Sequence, residues 1–158
     1  MKKKIVTKAL VALLGGAILI TAASAHSEST GNAEADHRIA EMKKLGANMG
    51  AIAKVAKGEM AYDAKLNDNA RAIAAIAGNM GKLFPEGSGV ESSRAKPEIW
   101  DPKNKEKFEM NILNLQKASI NLVVAVESGQ QSEIGAALKE AGGACGACHK
   151  QFRKPKKK

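Results

Sequence analysis

Cys145-Gly146-Ala147-Cys148-His149, ten residues from the end of the 158-residue chain, is the stretch whose residue types and spacing could do chemistry. C-x-x-C-H is the attachment signal for a c-type haem. Two thiols add across the haem vinyl groups, and the adjacent imidazole is placed to bind the iron. His149 is therefore the expected proximal iron ligand, with Cys145 and Cys148 as the covalent anchors of one haem c. Two other chemistries use such a run. A thiol redox pair wants a thioredoxin-like β-α-β setting, and no strand-like alternation stands out along this chain. A zinc site wants a fourth ligand, and outside the motif only His26 and His37 remain, with no further cysteine. Arg153 falls four residues after His149, on the same helix face. It could sit beside the imidazole, reach a haem propionate, or simply favour the C-terminal end of a helix dipole.

Helices must position these residues. Ile39, Met42, Leu45, Met49, Ile52 and Ala56 recur at helical spacing and predict a first helix from about Ala33 to Lys57, stopped by Gly58. A second is expected over Asp63 to Phe84, ended by Pro85, Gly87 and Gly89. The third should start at Pro102 after Asp101 as N-cap and run to Ser128 before Gly129. The fourth should run from Ser132 to Arg153, with Pro155 as its stop. Four long helices with mostly short connections predict an all-α fold, an antiparallel four-helix bundle with the haem near the C-terminal end of the fourth helix. The exception is a polar connection from Pro85 to Asp101, about 17 residues. It carries Trp100, the only tryptophan, so this end should fold back onto the core. Glycines 142, 143 and 146 are a poor choice for helix stability alone. They suit either a flat cofactor close to the backbone or tight helix packing.

The start of the chain reads differently. Lys2, Lys3, Lys4 and Lys8 precede a short apolar run, Ala9 to Ile20, and Ala23-Ser24-Ala25 fits a small-residue cleavage site. Residues 1–25 are expected to be a cleaved Sec-type signal peptide, the alternative being an uncleaved N-terminal anchor; cleavage would leave 26–158 as one periplasmic domain with no stable membrane anchor. The formal net charge, +9, would fall by those four lysines to +5. Lys154, Lys156, Lys157 and Lys158 concentrate the surplus in a tail. Aromatic content of 3% and the absence of a binding motif argue against nucleic acid. No acid–base or nucleophile constellation lies beyond the metal site, so an enzyme is not expected.

With the haem motif at the end of the fourth helix, Lys57-Gly58-Glu59-Met60-Ala61-Tyr62-Asp63 between the first two and Lys96-Pro97-Glu98-Ile99-Trp100 before the third, the chain resembles the cytochrome c′ family, the class II cytochromes c. The resemblance implies a distal residue on the first helix, which falls on Met42, and an arginine one turn earlier, Arg38, near a haem propionate. Arg38 could instead form a solvent-facing ion pair with Glu34 or Glu41. Trp100 would pack near the haem edge or serve as a plain core anchor. Leu83-Phe84-Pro85-Glu86-Gly87 and Met42-Lys43-Lys44 leading to Asn48-Met49 resemble the low-spin branch. The main expectation is therefore a periplasmic electron carrier with His149/Met42 ligation, serving redox partner proteins. The alternatives are a high-spin member binding nitric oxide or other small gases at an open sixth site, and a thiol redox protein using Cys145 and Cys148. The resemblance also implies a homodimer through the first two helices.

Overall fold

The computed structural model describes residues 29–156. The expected leader, its cut before His26 and the last two lysines lie outside the described residues. The first helix, α1 (Ala33–Ala56), begins where Asn32 turns extended and its side chain accepts the Ala35 N–H at 2.9 Å. Asp36, in the first turn, reaches back to the Thr30 N–H and Ser29 hydroxyl, and these bonds hold its carboxyl below the usual range. Gly58, at φ +75°, closes the helix in the left-handed conformation that glycine adopts without steric penalty.

The second helix, α2 (Leu66–Gly78), is shorter than expected at both ends. Asp63 accepts the Lys65 N–H and makes a turn of residues 63–65. At the other end Gly78 and Asn79 weaken the helix, the Asn79 amide bonds the Ala75 carbonyl, and the chain tightens into a 3₁₀ turn, Met80–Leu83. A 3₁₀ turn, Pro102–Asn104, leads into α3 (Lys105–Ser128), with Asp101 capping the Lys103 N–H as its position predicted. Gly129, at φ +68°, ends α3. The fourth helix, α4 (Gln131–Phe152), starts one residue earlier than expected, without a side-chain cap from Ser132.

Each helix packs on its chain neighbours, and α1 closes the ring against α4. This is the antiparallel four-helix bundle expected from the sequence. Two apolar clusters fill it. The larger is aliphatic, with Ile52, Ile73, Leu122 and Ile134 shielded from solvent. The smaller gathers Ala95, Ile99, Phe108 and Phe152 at one end. The chain has three phenylalanines, and all of them meet there. Phe108 stands edge-on to Phe84 at 5.0 Å and to Phe152 at 5.3 Å. No helix among the described residues is long and apolar enough to cross a membrane.

The connection after α2 does fold back. Trp100 donates its indole N–H to the Phe84 and Pro85 carbonyls at 3.1 and 3.0 Å. Its ring lies flush against Gly89, where a Cβ would fall 2.5 Å from the indole. Gly89→Ala is therefore expected to destabilise the protein by about 1–3 kcal/mol through overpacking, read as a lower urea midpoint at unchanged slope.

Candidate haem site

A cavity of about 670 Å³ opens where the two apolar clusters meet. The fourth helix supplies Cys145, Cys148 and His149 to one wall. Residues three and four apart share a helix face, so the motif presents both thiols and the imidazole together. The first helix supplies Arg38, Met42 and Met49, and the third supplies Phe108, Ile112 and Leu115. The lining is mostly apolar.

Both cysteines are free and half-buried. Burial raises the Cys145 thiol, and burial together with the neighbouring Cys145 pushes Cys148 up to about 11. Thiolate is the reactive form in disulfide exchange. Walls that keep both sulfurs protonated near neutral pH do not suit a thiol redox pair. His149 is shifted the other way. Burial, and then the charges of Arg153 and Arg94, hold its imidazole below the ordinary value. Neutral imidazole is the form that binds a metal.

Arg38 is 4% exposed. Its Nη1 donates to the Leu83 carbonyl at 2.9 Å and the Ser88 hydroxyl at 2.8 Å. Its Nη2 donates to the Ser88 carbonyl at 2.8 Å and, weakly, to the Ser93 hydroxyl at 3.5 Å. The guanidinium also lies over the Phe84 ring, 5.0 Å from its centroid. The solvent-facing ion pair with Glu34 or Glu41 is not formed; Glu41 pairs with Lys44 instead. What the first-helix arginine visibly does is hold the 83–93 loop.

A second clasp holds the end of α4. Arg94 donates twice to the Lys154 carbonyl, at 3.0 and 2.8 Å, and the Lys96 ammonium donates to the Gln151 carbonyl at 2.9 Å. Backbone bonds from Lys96 N to Phe152 O and from Lys154 N to Arg94 O complete it. A helix leaves its last carbonyls without internal partners, and here a distant loop supplies them.

Of the residues singled out in the sequence, Cys145, Cys148, His149, Met42, Arg38 and Arg153 line one cavity. Trp100 does not itself line it: its ring lies against Gly89, its indole N–H bonds the loop carbonyls, and it packs behind Ala95, Ile99, Phe108 and Phe152, which do line the cavity. The glycine run is also less uniform than expected. Gly142 lines the cavity, whereas Gly143 and Gly146 do not. Sequence reasoning missed Met80, the phenylalanines and Arg94 as cavity residues. Three phenylalanines in an aromatic-poor chain were the available signal.

The donor set fits a haem. Two thiols and a neutral imidazole share a largely apolar wall. Arg38, Arg94 and Arg153 line the same space, and among the described residues none of them is paired with a carboxylate. Unbalanced cations around an apolar cavity suit a flat apolar group that carries its own anionic substituents.

Comparison with known proteins agrees. The family model described as Cytochrome C' matches residues 33–153. A cytochrome c' from Rhodospirillum rubrum is 33% identical over 154 residues, covering 97% of this chain and 99% of the relative. A cytochrome c-556 from Agrobacterium tumefaciens is 35% identical over 123 residues, covering 76% of this chain and 96% of the relative. Among solved structures, a ferrous variant of cytochrome c prime from Alcaligenes xylosoxidans with bound NO superposes with a TM-score of 0.70 at 25% identity, over 78% of this chain and 94% of that one. A carbon monoxide-bound variant of the same protein gives 0.70 at 25% identity, over 77% and 94%. The bundle, the C-terminal haem motif and these matches together show that the chain belongs to the cytochrome c′ family of proteins carrying one covalent haem c.

Proposed function

We propose that this exported haem protein binds small neutral gases, nitric oxide and carbon monoxide among them, at its haem iron. The observation that carries the reading is the likeness, at 25% identity over 94% of their length, to solved chains holding NO and CO. Cys145 and Cys148 would hold the haem through thioether bonds, and His149 would supply the proximal nitrogen. Bound haem supplies a one-electron iron couple and an axial position for a ligand. The chain's own residues do the rest. Arg94 and Lys96 fix the last turn of α4, and with it the direction of His149. Met42, half-buried, contributes an apolar side chain to the cavity from α1. The apolar walls exclude water.

One observation favours the second reading, a low-spin electron carrier. Met42, Met49 and Met80 all line the cavity, so a thioether is at hand to close the sixth position. The visible spectrum separates the two. Gas binding at an open site predicts a high-spin ferric spectrum that keeps its spin state in Met42→Ala, and ferrous protein that takes up CO. A low-spin ferric spectrum converted to high-spin by Met42→Ala would establish His149/Met42 ligation and the electron-carrier reading.

In either reading a catalytic role is not proposed, and the location is the periplasm. Lys150, Arg153, Lys154 and Lys156 put positive charge at the haem-bearing end of α4. We infer that it steers acidic redox partners, with an association rate that falls as salt rises. A homodimer through α1 and α2 is a further proposal, checked by sedimentation. Exposed large apolar side chains among the described residues lie elsewhere, at Met110, Leu113, Ile120 and Val124 on α3 and at Met60 and Tyr62, so such a contact would be polar or built on small residues.

A further inference from the structure

We propose that an open groove between α1 and α4 is the route by which small apolar gases reach the haem cavity, with the Met49 side chain standing at its inner mouth. The inference rests on the gas-binding reading above. The groove, about 580 Å³, is walled by Gly50 and Ala53 on α1 and by Gly135 and Leu138 on α4. It shares two residues, Met49 and Gly142, with the haem cavity, so the two spaces lie next to each other with that pair between them. The α1–α4 seam is also the loosest of the four between neighbouring helices.

Close packing does not account for the glycines. A Cβ added at Gly50, Gly135 or Gly142 would meet nothing within 4 Å. Glycine inside a helix weakens it, and here no neighbouring atom uses the space that it leaves. What the missing side chains do leave is open space along a mostly apolar groove, rimmed by Lys57 and Lys139 and ending at Met49. Diatomic gases lose little hydration on entering such walls, whereas ions and hydrogen-bonding solutes lose a great deal. Met49 is half-buried and packs against the aliphatic core. Its unbranched thioether has three rotatable bonds, so it can swing aside without moving α1.

A residue on the path changes the barrier and not the end states. Association and dissociation must then change by one factor, leaving the equilibrium constant fixed. The test uses CO on the ferrous holoprotein, followed by stopped flow and flash photolysis. Gly50→Leu and Gly135→Leu place bulk in the groove and line no part of the haem cavity. Each is expected to slow CO association and dissociation together by roughly tenfold, with the dissociation constant and Soret band unchanged. Met49→Ala is expected to speed association. Space is free at both glycines, and should one leucine variant fail to fold the other carries the test. If the wild-type protein binds CO and both leucine variants keep wild-type rates, the route is wrong and the gas-binding reading stands. A changed dissociation constant with one rate fixed would also overturn the route, since the groove would then be part of the binding site. Wild-type ferrous protein that takes up no CO would remove the gas-binding reading and the route with it.

Discussion

Replacing Cys145 and Cys148 together by alanine is expected to abolish covalent haem. The variant, expressed with haem maturation, should show no haem stain on a denaturing gel, and any haem it carries should leave in acidified organic solvent. The reason lies in α4. These are the chain's only cysteines, and both line the cavity beside His149. No other side chain in that wall can form a thioether. Retained haem staining in the double variant would contradict the assignment. His149→Ala gives the complementary result: covalent haem retained through the two sulfurs, with the spectrum of the imidazole-ligated form lost. The two variants thus separate attachment from ligation.

The second large effect is expected at Arg38. Arg38→Ala should cost about 3 kcal/mol, since it removes three short charge-assisted hydrogen bonds and leaves buried acceptors at Leu83 and Ser88 unmatched. For a domain of this size that is a fall in Tm of roughly 10 °C. Burial lowers the Arg38 pKa, yet a guanidinium remains charged at any ordinary pH. The cation is therefore a permanent feature of the cavity wall. Arg38→Lys restores the charge without the planar fork and should recover less than half of the loss. A variant as stable as wild type would mean that the loop is held by Trp100 and the α4 clasp alone.

Much of the bundle was legible because helical periodicity is a local signal. The apolar repeat from Ile39 to Ala56 and the glycines at 58 and 129 placed α1 and α3 to within a few residues. The ends of α2 were not legible in the same way. Asp63 makes its own turn, and the Gly78-Asn79 pair lets the last turn tighten, while the apolar pattern runs on through both. At the site, the motif residues could be named because their spacing alone puts them on one face. The partners of Arg38 could not. Ser88 and Ser93 lie 50 and 55 residues away in a stretch without periodicity. Trp100 shows the limit most plainly. That it folds back followed from its chemistry, but its contact with Gly89 did not, since nothing in the local pattern couples the two.

The clasp on α4 has a consequence for how the chain tolerates insertion and deletion. Surface loops generally accept added or lost residues at small cost, because closure entropy grows slowly with length. The stretch between α2 and α3 is pinned at three places: by Arg38 at Ser88, by the Trp100 ring at Gly89, and by Arg94 and Lys96 at the carbonyls of residues 151–154. A residue gained or lost between Gly89 and Arg94 would pull the clasp out of register with the turn that carries His149. The longest irregular stretch between the helices is thus the one with least freedom in its length. Lengthening should be borne far better at the short α3–α4 turn around Gly129, where no such strap crosses to the haem wall.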